Sequence, residues 1–263
     1  MFGTKQRRRR KLRQTPLPEE AMAWISRNVP YYRYLPDRDR MELSGLVQVF
    51  LAEKNFEGCG GMTITPEIRW TIAGLACLLL LRRETDFYPL LQSILVYPQT
   101  FVTERLEELD SGLVTEEVQE LVGETWSQGS LAISWDDLLY DIAHHGEGYN
   151  VVLHEFAHQL DEESGLADGT PILPDADLYP LWAEVFTREY RALRADLNAG
   201  RPTFLDEYGA ESETEFFAVA TETFFELPRQ FRTEHLELYR LLARYYRQDP
   251  ASWPVPEGNG HLP

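Results

Sequence analysis

The chain has 263 residues, of which 43% are apolar, 26% charged and 12% aromatic, enough for a substantial core and unlike a disordered or low-complexity polymer. Its 43 acidic and 25 basic side chains leave a formal charge of −18, which speaks against broad direct contact with nucleic acid. Two cysteines exclude a disulfide framework.

The charge is uneven. Lys5, Arg7, Arg8, Arg9, Arg10, Lys11 and Arg13 crowd the first 13 residues, and the other 250 carry 18 basic and 43 acidic groups, a net of −25. The basic run leads into Gln14-Thr15-Pro16-Leu17-Pro18 rather than an apolar stretch, unlike a secretory signal, so residues 1–15 are expected to be a solvated, disordered arm. Helices are predicted over 17–28, 37–53 and 66–83. The last contains the longest apolar run, 70–81, too short for a membrane span of about 20 residues, with Cys77 in the core. Cys59 is expected as an exposed loop thiol. Two unpaired thiols and no signal-like segment favour a reducing cytoplasm.

Ile94-Leu95-Val96-Tyr97 predicts a buried strand. Residues 119–126 and 130–135 predict a pair of strands joined by a turn at 127–129, with Leu131, Ile133 and Trp135 on one apolar face. From there helices are predicted at 136–144, 150–161, 175–198, 212–226 and 228–247, and 250–263 reads as a tail. Helices, then strands, then helices predict an α+β fold, mostly helical with a small sheet. The expected organisation is one domain at 16–249, with N-terminal helices over about 16–90 and a catalytic part over about 91–249.

Residues 154–158 read His-Glu-Phe-Ala-His. Asn150 can cap a helix whose apolar stripe is Val152, Leu153, Phe156, Ala157 and Leu160. His154 and His158, four residues apart, project within about 40° of each other, so both imidazoles can reach one ion. Glu155 is turned by about 100°, beside the ion, where a base can take a proton from water. Two imidazoles and a carboxylate leave a tetrahedral zinc one open position. Asp161 and Ser164 break the extended pattern that would supply a third histidine. Glu211, Glu213, Glu215 and Glu222 are candidate third ligands on a helix capped by Ser212. Glu215, flanked by Phe216, Phe217 and Val219, is the best placed. Asp161 and Glu222 are candidates to orient a ligating histidine. His144 and His145 read as helix-end residues, and His235 and His261 as surface.

Residues 151–161, Asp206-Glu-Tyr-Gly-Ala210 and 214–225 resemble the MtfA family, bacterial zinc peptidases named for titrating the glucose-regulated repressor Mlc. Leu95-Val-Tyr-Pro98, Gly123-Glu-Thr-Trp-Ser-Gln-Gly129, Ile133-Ser-Trp135 and Tyr245-Tyr-Arg-Gln-Asp-Pro250 extend the likeness over about 17–250. The basic segment at 5–13 departs from the short start associated with that family. The resemblance implies a zincin-like, gluzincin-type fold, related to the peptidase domain of anthrax lethal factor. It also implies one Zn²⁺ per chain on His154, His158 and Glu215, Glu155 as general base, and Tyr208 as donor to the oxyanion. A peptide substrate, aminopeptidase-type cleavage and a strand at 130–135 that pairs with substrate follow from it. The rival implication is a regulator that binds and titrates a transcriptional repressor.

Overall fold

The computed structural model describes residues 2–99 and 129–254. Three helices open the chain: α1 (Phe2–Arg13), α2 (Glu19–Asn28) and α3 (Asp37–Glu53), with a 3-10 turn at Pro30–Tyr34. Next come β1 (Asn55–Gly58), α4 (Pro66–Leu78), β2 (Ser93–Tyr97) and β3 (Ser130–Ser134). Helices α5 (Trp135–Ala143), α6 (Val151–Glu162), α7 (Leu178–Asn198), α8 (Glu213–Glu226), α9 (Pro228–Glu234) and α10 (Leu236–Tyr246) complete the α+β fold. The sheet runs β1-β2-β3, all parallel, with Ile94 opposite Phe56 and Leu131, and Val96 opposite Gly58 and Ile133.

The apolar run folds as α4, capped by the Thr65 hydroxyl, which accepts the Ile68 N–H. The helix ends at Leu78 rather than 83: beyond it Leu80, Leu81 and Arg83 donate their N–H groups to carbonyls three residues back, and Arg82 takes a left-handed conformation (φ 60°). Leu79, Leu80 and Leu81 stay buried even so, because the core continues past the helix. Phe156 of α6 meets Tyr88 and Phe50 at ring separations of 4.8 and 5.7 Å, joining the future site helix to the N-terminal layer. On the other side Trp182 stacks on Phe186 at 4.2 Å and packs edge-on against Phe217 of α8.

Residues 2–13 depart from the expected disordered arm by forming α1. Arg9 is drawn into the body: Nε and Nη2 donate to the two Glu53 oxygens at 2.8 and 2.7 Å, Nη1 pairs with Asp86, and the guanidinium lies over Phe87. Gly45 makes the approach possible, since a Cβ there would stand 2.9 Å from the Arg13 carbonyl oxygen. Burial would raise the Glu53 carboxyl, yet its hydrogen bonds from Arg9 hold it below the usual range. Arg9→Ala should therefore cost about 2 kcal/mol in denaturant unfolding at neutral pH, the scale of charge-assisted hydrogen bonds. A carboxyl depressed in the folded state contributes stability above its unfolded pKa and loses it as pH falls through the folded value. The gap between wild type and variant should close below about pH 4. A gap that persists in acid would mean that packing on Phe87, not the ion pairs, holds the helix.

Other departures have local causes. Trp135 begins α5 instead of ending the strand, because the Ser134 hydroxyl accepts the Asp137 N–H and caps that helix. The strand expected at 119–126 lies outside the described residues. The long C-terminal helix is split at His235, whose ring bonds Glu189 (2.9 Å) and stacks on Phe204, so His235 is half-buried rather than on the surface. Cys59 is half-buried and Cys77 buried, both unpaired. The expected tail starts ordered: Ala251 donates its N–H to Tyr239, and Trp253 is buried against Phe225. His261 lies outside the described residues. Among the described residues no helix is long and apolar enough to cross a membrane.

Candidate metal centre

Two capped helices build the centre. Asn150 stands in extended backbone, and its Oδ1 accepts the Leu153 N–H at 3.1 Å to start α6. Val152, Leu153, Phe156, Ala157 and Leu160 bury one face, leaving His154 and His158 together on the side turned to α8. There the Ser212 hydroxyl accepts the Glu215 N–H at 3.1 Å, placing Glu215 in the first turn. Gly169 (φ 78°) lets the intervening loop pass close to that helix start, since a Cβ would meet the Glu213 carbonyl at 2.4 Å.

The three expected ligands converge. His154 Nε2 lies 3.1 Å from His158 Nε2, and Glu215 Oε2 lies 3.1 and 3.3 Å from the two ring nitrogens. Ligand atoms about 2.0–2.1 Å from a tetrahedral zinc stand roughly 3.3 Å from one another, so this triangle has the dimensions of one face of such a site. Among the described residues, His154, His158 and Glu215 are the group with the spacing to hold a metal ion. Glu211 and Glu213 are outside it.

The protonation pattern agrees with a cation. His154 Nδ1 donates to Glu222 Oε1 at 2.7 Å, so a neutral ring presents the Nε2 lone pair to His158 and Glu215. Burial alone would depress His154, but its bonds to Glu215 and Glu222 raise it to about 10. Burial acts to raise Glu215, and the two histidines bring it down to about 2. The carboxylates of Glu215 and Glu222 thus favour positive charge on His154, and the two histidines favour the ionised form of Glu215.

Glu155 is half-buried and makes no hydrogen bond among the described residues. Burial raises its carboxyl, partly opposed by His154 and His158, which suits a proton acceptor more than a salt-bridge partner. Tyr208 sits in the 3-10 turn Glu207–Ala210, where Asp206 Oδ1 accepts its N–H at 2.9 Å. Its ring is 45% exposed and its centroid lies 5.8 Å from that of His154, so the phenol borders the centre from the open side.

Of the two candidates to orient a histidine, only Glu222 does so. Asp161 instead accepts the Gly169 N–H at 2.8 Å and holds the following loop. His144 bonds the Tyr140 carbonyl and stacks on that ring. His145 lies buried 3.0 Å from Glu226 and edge-on to Tyr31.

Beside Glu222, two further supporting carboxylates, Asp141 and Glu226, are not evident from the sequence. The N–H groups of Gly146, Asn150 and Val151 donate to Glu226, Glu222 and Asp141, pinning the segment that enters α6. Burial lifts Asp141 to about 6, against the pull of its Val151 hydrogen bond. Tyr31 donates to Glu226 from the N-terminal layer. The available signal was Glu222 and Glu226, one turn apart in a run otherwise made of phenylalanine, threonine and small residues.

A mostly helical α+β body with two histidines and a glutamate gathered between two helices has the make-up of a metallopeptidase. The glucose-regulated metallo-peptidase M90 family profile matches residues 4–247, nearly the whole chain, and the chain belongs to that family. The match takes in the whole basic segment and all but the first two residues of α1, so that helix falls within the family's extent. The chain is 38% identical to the uncharacterised protein slr2042 of Synechocystis over 92% of its length and 89% of that protein. It is 30% identical to Mlc titration factor A of Pectobacterium atrosepticum, over 85% of this chain and 84% of that one. It is 29% identical to the protein of the same name from Klebsiella pneumoniae, over 88% and 86%.

Proposed function

We propose that the chain is a zinc-dependent peptidase with one ion per chain held by His154, His158 and Glu215. The observation that carries this reading is the triangle of donor atoms with sides of 3.1 to 3.3 Å. A zinc ion bound there supplies Lewis acidity, polarising the scissile carbonyl and making water nucleophilic near neutral pH. Glu155 takes the proton of the attacking water and returns it to the leaving amine. Tyr208 donates its phenolic hydrogen to the oxyanion as the carbonyl carbon becomes tetrahedral. Glu222 holds His154 in the tautomer that presents Nε2. An extended peptide lies along β3, at one end of the strand order among the described residues, with the aminopeptidase mode as the form of cleavage.

Residues 16–249 act as one peptidase unit, a view supported by the Tyr31 to Glu226 bond between the N-terminal layer and α8. Two unpaired thiols support a cytoplasmic setting.

Metal analysis of the purified protein, followed by chelation and zinc readdition in an assay on aminoacyl and internally quenched peptides, tests the proposal. About one zinc per chain and activity that follows the metal are expected. Activity indifferent to the chelator, in protein without zinc, would overturn it. Tyr208→Phe should keep zinc and KM while kcat falls by about 10²-fold or more. An unchanged kcat would leave Tyr208 a rim residue.

A second reading rests on the relatives named Mlc titration factor A. In it the chain binds a transcriptional repressor, and catalysis is secondary. Repressor binding at wild-type affinity by an inactive Glu155→Gln variant would make the two functions separable.

A further inference from the structure

A second charged site lies on the N-terminal layer. Gln6, Arg9, Arg10 and Arg13 occupy positions i, i+3, i+4 and i+7 of α1 and so share a face. Together with Arg83 and Phe87 they line a cavity of about 560 Å³, within the range of small-molecule sites.

The arginines are not equivalent. The charge of Arg9 is matched by Glu53 and Asp86. Arg10, Arg13 and Arg83 have no carboxylate within ion-pair distance among the described residues. Arg13 is held over the Phe87 ring, 5.5 Å from its centroid. Arg83 is the most constrained: it is half-buried, its guanidinium lies 4.2 Å from the Tyr245 ring centroid, and it donates to the Tyr245 hydroxyl at 2.9 Å and the Leu79 carbonyl at 3.3 Å. Its hydrogen bonds go to neutral partners, and Glu163, whose charge it offsets at longer range, stands beyond ion-pair distance. Glu84 is the acidic residue lining the same cavity, so three unmatched cations face one carboxylate. That excess stands in a chain whose other 250 residues carry a net of −25.

Guanidinium forks match phosphate and carboxylate oxygens alike. A cavity whose lining carries more arginine than carboxylate charge fits a phosphate monoester, which carries about −1.5 to −2 at neutral pH, better than a single carboxylate. We propose that this cavity binds a small phosphate-bearing molecule, with its phosphate seated among Arg10, Arg13 and Arg83. The site is separate from the metal centre, and its occupancy does not depend on peptidase activity.

Calorimetric titration of the full chain with inorganic pyrophosphate and with AMP tests the inference. Saturable binding at one site per chain is expected. Arg10→Glu/Arg13→Glu should weaken it by at least about tenfold, or about 1.4 kcal/mol. Arg10→Gln alone should weaken it less, with circular dichroism of both variants unchanged. Arg7→Glu, on the same helix but outside the cavity, should leave affinity within about twofold, which separates a formed site from the general charge of the helix. Equal weakening by Arg7→Glu overturns the proposal. So does pyrophosphate binding that persists in Arg10→Glu/Arg13→Glu, the result expected if it sits at the metal centre. Binding of phosphatidylserine vesicles or a DNA oligonucleotide without saturable binding of either small phosphate also overturns it, because the helix then acts as an open cationic surface.

Discussion

Glu155→Gln should leave the zinc content of the protein unchanged while turnover falls by about 10²–10⁴-fold, the usual contribution of a positioned general base. The substitution keeps the size of the side chain and removes its capacity to accept a proton. It breaks no hydrogen bond among the described residues, and Glu155 lies outside the triangle of donor atoms. Burial raises the carboxyl above its usual range, and the two histidines oppose that rise. Inductively coupled plasma analysis beside a peptide assay reads both quantities on one preparation. Loss of zinc would make Glu155 a structural support of the centre, and retained turnover would move the base elsewhere.

The second large effect separates a ligand from a base of the same chemistry. Glu215→Gln replaces an anionic donor with a weaker neutral one, so zinc affinity itself should fall. Loss of an outer hydrogen-bond partner of a metal ligand costs about 10–100-fold in affinity, and loss of a charged ligand should exceed that. Glu222→Gln provides the comparison on the same helix. It keeps a polar group near His154 Nδ1 and should stay within the smaller range. Added zinc should restore part of the Glu215→Gln activity and none of the Glu155→Gln activity. His154→Ala and His158→Ala should lose both metal and activity. A Glu215→Gln protein that holds zinc as tightly as wild type would remove Glu215 from the ligand set.

The parts of the candidate centre legible in the sequence depend on local spacing. A helix brings residues four apart onto one side whatever surrounds it, so His154 and His158 could be paired before any fold was known. The caps Asn150 and Ser212 were equally legible, because each closes a hydrogen bond only three residues away. The mixed α+β class followed from the order of periodic segments.

Choices between like groups were another matter. Four glutamates on one segment competed for the third ligand position, and aromatic neighbours favoured Glu215 without showing that it reached the histidines. The packing of α6 against α8 puts Glu215 Oε2 within 3.3 Å of both rings. Asp161 and Glu222 were equal candidates to orient a histidine, and only the course of the loop at Gly169 turns Asp161 away. The basic segment looked like a solvated tail because its partners are remote: Glu53 lies 44 residues from Arg9 and Asp86 lies 77 away. By itself the sequence determined which residues share a helix face, where most helices begin and what chemistry the histidine pair invites, because hydrogen-bond geometry within a few residues sets these. Only the tertiary structure decided which carboxylate meets the histidines, which one steadies His154, and that Arg9 docks the first helix, because each depends on groups that distant segments bring together.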